Sequence, residues 1–220
     1  MLFRSNDPYY FSHGKHFIDA ILTHKLSFEL FSQMANKIAK QLSEWQQQGF
    51  CQHICINADA AEFSHPEFFD MVSGLLVQHN IAACQLHIEV TESSLIQRHD
   101  DVRKQLNSLK ELGVRLALDD FGTGYASLSY LQDYPFDFIK IDKSFISKID
   151  TDRTQHAIVK AILDLADALD MHVVAEGIET EQQRDVLLDM GCKNGQGYWF
   201  GKPVPADVAT EMLVKQYATE

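Results

Sequence analysis

The sequence predicts an α/β chain organised as a (β/α) barrel, and three observations carry that prediction. Short apolar runs alternate with longer segments of helical period along most of the 220 residues. The alternation forms one continuous series, with no linker, internal repeat or low-complexity tract, so a single domain over residues 1–220 is expected. Polar residues that can bind metal or phosphate stand at the ends of successive apolar runs, where a parallel barrel gathers its chemistry.

In chain order, residues 7–24 are irregular and carry no strand signal, and a helix is expected around 28–45. Strands are expected over 53–57, 86–90, 115–120, 138–142, 172–177 and 195–200. The intervening helices are placed at 66–79, 98–112, 154–169 and 181–190. In the third of these, Ala157, Ile158, Ala161, Ile162, Leu165 and Leu169 step by three and four and make one apolar face. Gly113 and Gly191 follow helical segments, where a left-handed residue ends a helix. Asp150-Thr151-Asp152 supplies capping oxygens ahead of another.

Composition excludes several classes of function. With 45% hydrophobic and 23% charged residues, the chain reads as an ordinary globular protein. No apolar run of about 18 residues occurs, so no membrane span is expected. The first residues lack a signal-peptide layout, which points to the cytoplasm. A formal net charge of -12 argues against a nucleic-acid polymer as partner. An acidic chain still binds a small phosphate ester when metal ions lie between the two anions. Cys51, Cys55, Cys84 and Cys192 show no metal-type spacing and read as buried free thiols. The ten histidines are scattered and read as structural or surface residues.

The expected strand ends carry Asn57, Glu89, Asp119 with Asp120, Lys140 with Asp142, and Glu176. One such residue is an ordinary solvated strand end or helix cap; five successive strands doing so point to a site. Carboxylates and an amide, without histidine or cysteine, suit hard divalent ions such as Mg²⁺, Mn²⁺ or Ca²⁺. Asp119 and Asp120 would point to opposite faces of a regular strand, so a bend is expected there to bring both to one site. Two ions about 3.5–4 Å apart would clamp a phosphodiester for in-line attack. Lys140 supplies a point charge for a phosphate oxygen or the attacking water, with a salt bridge to Asp142 as its plainer role. The loop Phe121-Gly122-Thr123-Gly124-Tyr125 has glycines that permit close approach to a ligand.

Five strings together resemble one known family. They are Glu89-Val90-Thr91-Glu92-Ser93, Leu118-Asp119-Asp120-Phe121-Gly122-Thr123-Gly124-Tyr125, Ile139-Lys140-Ile141-Asp142-Lys143-Ser144-Phe145, Val174-Ala175-Glu176-Gly177-Ile178-Glu179-Thr180 and Gly195-Gln196-Gly197-Tyr198-Trp199-Phe200. In sequence and order they resemble EAL domains, over nearly the whole chain. The resemblance implies a modified TIM-type barrel and metal-dependent hydrolysis of cyclic-di-GMP to pGpG. It implies Asn57, Glu89, Asp119, Asp120 and Glu176 as metal ligands, for Mg²⁺ or Mn²⁺, with Ca²⁺ bound unproductively. Lys140 resembles the lysine near the attacking water, and Glu92 the glutamate that ties down the Asp-Asp-Phe-Gly loop. Arg4, Asp142, Glu179, Gln196, Phe200 and Pro203 fall at positions around the substrate. Family members also imply homodimerisation through 125–134 and fusion to sensory domains. The start departs from the family pattern: Leu2-Phe3-Arg4 continues the naming motif, Met1 takes its alanine position, and the motif glutamate falls one residue upstream. This implies a chain lacking its first barrel strand and one metal ligand. A catalytically impaired nucleotide-binding or protein-interaction module of the same fold is the alternative, and a metal-dependent barrel acting on another substrate is a third.

Overall fold

Helix α1 (Ser27–Gln47) is apolar at Phe31, Ala35, Ile38, Ala39, Leu42 and Trp45, a three-and-four spacing that buries one face along its 21 residues. It opens the part of the chain that the computed structural model describes, residues 26–97, 99–122 and 128–218. Trp45 Nε1 donates to Thr210 Oγ1 at 2.8 Å and so fastens α1 to a helix near the other end of the chain.

Six strands follow: β1 (Ile54–Ala58), β2 (Leu86–Thr91), β3 (Arg115–Phe121), β4 (Phe138–Ile141), β5 (His172–Ala175) and β6 (Asn194–Gly195). All pairs are parallel, and each strand lies beside the one before it. Helices occupy the crossovers: α2 (Ala60–Phe63), α3 (Phe68–His79), α4 (Glu92–Gln97), α5 (His99–Leu112), α6 (Leu128–Asp133), α7 (Lys143–Ile146), α8 (Arg153–Ala168) and α9 (Glu181–Asp189), and α10 (Ala206–Tyr217) follows β6. Among the described residues, no helix is long and apolar enough to cross a membrane.

Strand alternation creates two unlike faces. Ile54, Ile56, Ile88, Val90, Leu116, Leu118, Ile139, Ile141 and Val173 form an apolar outer row, buried with the helices in the main hydrophobic core. The opposite row carries Cys55, Asn57, His87, Glu89, Asp119, Phe138, Lys140 and His172. That row is polar along most of its height, and its upper end is the candidate site.

The long helices lie within two residues of their expected bounds, and Gly113 and Gly191 adopt φ of +97° and +93°. Asp152 caps α8 by accepting from the Thr154 amide. Four expectations need correction. The strand expected at 195–200 pairs with β5 only through Asn194 and Gly195. Beyond them the chain wraps around Ile178, whose amide donates to the Gln196 carbonyl and whose carbonyl accepts from the Trp199 amide. The buried face of α8 is Val159, Ile162 and Ala166, while Ile158 is exposed, because a second apolar stripe one residue on meets the sheet. Cys51 and Cys84 are exposed rather than buried. α2, α4, α6, α7 and α10 lie outside the helical bounds expected above; α2 and α7 are single turns set by the caps Asp59 and Asp142. Arg4 and the motif alignment around Met1 lie outside the described residues.

Candidate active site

The centre of the site is built by a fault in β3. Leu118 pairs with Ile139 and Phe121 with Ile141, so β3 carries one residue more than β4 across that interval. The extra residue is accommodated at Asp120, which takes φ of +55°. Asp is among the residues that tolerate the left-handed region. This is the bend the sequence required, and it brings both aspartates to one place. Asp119 Oδ1 accepts from the Asp120 amide at 3.0 Å. Carboxylate oxygens of Asp119, Asp120 and Glu176 all lie within 4.8 Å of one another.

Lys140 rises from β4 beneath this cluster. Its ammonium lies 2.7 Å from Glu89, 3.0 Å from Asp119 and 2.6 Å from Glu176. No ion pair with Asp142 forms; Asp142 caps α7 instead, accepting from the Ser144 amide at 2.9 Å. Burial opposes the charge on Lys140, but Glu89, Asp119 and Glu176 outweigh it and hold its pKa above the ordinary lysine value. Burial raises the pKa of Glu176 despite its contact with Lys140. Burial also raises Asp120, together with the charges of Asp119 and Asp142. Asp142 is held low: burial works against its charge, but the hydrogen bonds of Ser144 and the Lys143 amide prevail.

The remaining expected site residues lie near the ends of β1 and β2 and in the loops after β5 and β6. Asn57 is exposed at the upper end of β1, in register with Glu89. Gln196 donates to Glu176 Oε1 at 2.5 Å, orienting that carboxylate from the next loop. Glu92 is buried as the first residue of α4, directly after β2. Glu179 is exposed three residues beyond Glu176, and Phe200 and Pro203 follow the Gln196 loop, Phe200 exposed and Pro203 half-buried. Residues 123–127, within the glycine loop and the expected dimer segment, lie outside the described residues.

Two contributors escaped the sequence reading. Cys55 stands two residues before Asn57 on the same row, hydrogen-bonded to Glu89, with its thiol pushed up to about 12 by burial and by that carboxylate. Period two places it there, but a lone cysteine gives no reason to single it out. Gln183 is buried in α9, where its Oε1 accepts from the Glu179 and Thr180 amides at 2.8 and 3.1 Å and its Nε2 donates to the Ser147 carbonyl. It pins the loop that carries Glu176 and Glu179; the Thr180-to-Gln183 capping-box spacing is the signal that finds it.

The donor set fits hard divalent ions. Among the described residues, Glu89, Asp119, Asp120 and Glu176 bring four carboxylates against the ammonium of Lys140, and Asn57 adds an amide oxygen near the end of β1. Such a surplus of negative charge in a half-buried setting is stable only when protons or cations offset it.

A profile of the EAL domain matches residues 3–203. The chain belongs to the EAL domain family. Cyclic di-GMP phosphodiesterase NbdA of Pseudomonas aeruginosa is 38% identical over 192 residues, covering 81% of this chain and 24% of that protein. The solved PaMucR phosphodiesterase in complex with c-di-GMP superposes with a TM-score of 0.83 at 34% identity, over 89% of this chain and 79% of that one. Klebsiella pneumoniae BlrP1, solved with manganese and cyclic-di-GMP, gives 0.70 at 31% identity, over 78% of this chain and 45% of that one. The chain spans between 19% and 32% of the length of the curated relatives it matches. These EAL neighbours place the parallel sheet described above in a TIM-like α/β barrel. In such a barrel the polar row lines the interior and the cluster stands at the carboxyl ends of the strands.

Proposed function

We propose that this EAL domain, taken as a single domain over residues 1–220, hydrolyses cyclic-di-GMP to pGpG with Mg²⁺ or Mn²⁺. The observation that carries the proposal is the bulge at Asp120, which brings Asp119, Asp120 and Glu176 within 4.8 Å at the end of the sheet. Asn57, Glu89, Asp119, Asp120 and Glu176 would hold the ions. Bound there, divalent ions would polarise the phosphodiester and supply a water acidic enough to attack it.

The chain's own residues do the rest. Gln196 fixes the orientation of Glu176, so that this ligand does not have to reorganise when the site loads. Lys140 places a permanent positive charge beside the reacting phosphate, where charge develops in the transition state. Asp142, Glu179, Phe200 and Pro203, in the loops after β4, β5 and β6, would receive the nucleotide together with Arg4, and Glu92 would support the loop after β3. Water adds across one P–O bond of the ring, leaving a terminal phosphate and a free hydroxyl. The reading extends to a homodimer and to attached sensory domains as partners of the whole protein.

Incubation of the chain with cyclic-di-GMP and Mg²⁺ or Mn²⁺, with chromatographic separation of products, tests this. pGpG should form, and Asp119→Ala should reduce its rate by at least about a hundredfold. Nucleotide binding without product would instead make the chain a binding module of the same fold.

A further inference from the structure

Four carboxylates held this close repel one another, and among the described residues one cation, Lys140, stands between them. Lys140 Nζ contacts Glu89 at 2.7 Å, Asp119 at 3.0 Å and Glu176 at 2.6 Å, with its side chain only 7% exposed. An ammonium has three N–H donors, and this arrangement gives each a carboxylate. Asp119 and Glu176 also belong to the cluster suited to a metal ion. Lys140 therefore sits on the same oxygens a divalent ion needs. It is fixed there from β4, between β3 and β5, and Asp142, two residues on, is engaged at the α7 cap instead.

We infer that Lys140 is the built-in counter-cation of the metal-free site: it holds Glu89, Asp119 and Glu176 in place and competes with divalent ions for them. This rests on the metal-dependent reading above. Loading becomes an exchange. On loading, the Lys140 ammonium would loosen its hold on these carboxylate oxygens, and its donors would turn to a phosphate oxygen or the attacking water. Each carboxylate has lone pairs to share, so the competition is partial. A purely structural ion pair behaves differently: its loss weakens the fold and tightens nothing.

Calorimetric titration of the full chain with Mn²⁺, without nucleotide, separates the two roles, alongside thermal melts in chelator and in Mn²⁺. Lys140→Met should melt lower than the parent in chelator, yet bind Mn²⁺ about tenfold more tightly, because a repelling charge has left the site. Mn²⁺ should then raise its melting point by more than it raises the parent's. A Lys140→Met chain that folds only once Mn²⁺ is added gives the same answer. One that stays unfolded in Mn²⁺, or binds the ion no tighter than the parent, overturns the proposal. If the parent binds Mn²⁺, Lys140→Met binds it more tightly and no pGpG forms, the phosphodiesterase reading fails and the exchange stands. If pGpG forms and Lys140→Met gains no affinity, the reverse holds. A parent that binds no Mn²⁺ removes both.

Discussion

With φ at +55°, Asp120 occupies a conformation that costs most side chains about 1–2 kcal/mol, and a short polar side chain is what makes it tolerable. The aspartate pair was legible in the sequence as chemistry, and the need for a bend followed from strand geometry. Which residue takes the bend was not legible, because two adjacent aspartates are equally suited to it. The assignment yields a prediction. Asparagine accepts the left-handed region as readily as aspartate but cannot ionise, so Asp120→Asn keeps the bulge and removes one negative charge beside Asp119. In chelator its melting point should match or exceed the parent's by a few degrees. Its stabilisation by saturating Mn²⁺ should fall by about 1–2 kcal/mol, read as a smaller rise in melting point. A variant that melts much lower in chelator would mean the carboxylate itself builds the bulge.

Among the elements, what period can encode was legible and what a single contact encodes was not. The long helices carry several turns of apolar spacing, so their bounds emerge to within two residues. α2 and α7 are one turn each, set by the Asp59 and Asp142 caps, and four residues hold no period to read. The segment 195–200 misled for a related reason: its aromatic residues suit a strand, but its hydrogen bonds go to Ile178. Gly197 makes that wrap possible. A Cβ at this position would lie 2.1 Å from the Ile178 carbonyl oxygen and 2.3 Å from its nitrogen. Backbone on both sides cannot yield as a flexible side chain would. Gly197→Ala should therefore cost about 2–4 kcal/mol in urea unfolding, by forcing the two loops apart. The same displacement draws Gln196 from Glu176, so Mn²⁺ affinity should drop in parallel. Loss of stability with unchanged Mn²⁺ affinity would separate the loop from the site.

Across the whole molecule, the least legible feature is the chemistry of the interior row. Ten histidines gave no pattern along the sequence, yet three of them join Phe138 in one aromatic group. His53 stacks on His87 at 4.2 Å, His87 meets Phe138 at 5.1 Å, and Phe138 meets His172 at 5.4 Å. Alternation shows that 53, 87, 138 and 172 each lie on the face of the site residues; it does not show that four strands bring them together. The consequence is a pH dependence. Burial first, then the neighbouring His53, depresses His87 to about 4 from an ordinary 6.5. The unfolded chain therefore binds a proton at His87 that the folded chain refuses, and stability falls as pH drops from about 6.5 towards 4. The full shift corresponds to about 3 kcal/mol, and nearer to 1–2 because exposed His53 leaves this end open to screening by water. Glu62 acts in the opposite sense: burial and Asp59 raise it to about 7, so its protonation below that value favours the folded state. A single stability curve mixes the two, and a difference between variants isolates one. His87→Leu keeps a side chain of similar bulk that cannot charge. Urea unfolding at pH 7 and at pH 4.5 should show the parent losing about 1–2 kcal/mol more than this variant over that interval. Equal losses in the two chains would mean that His87 takes up its proton as readily in the folded state as in the unfolded one.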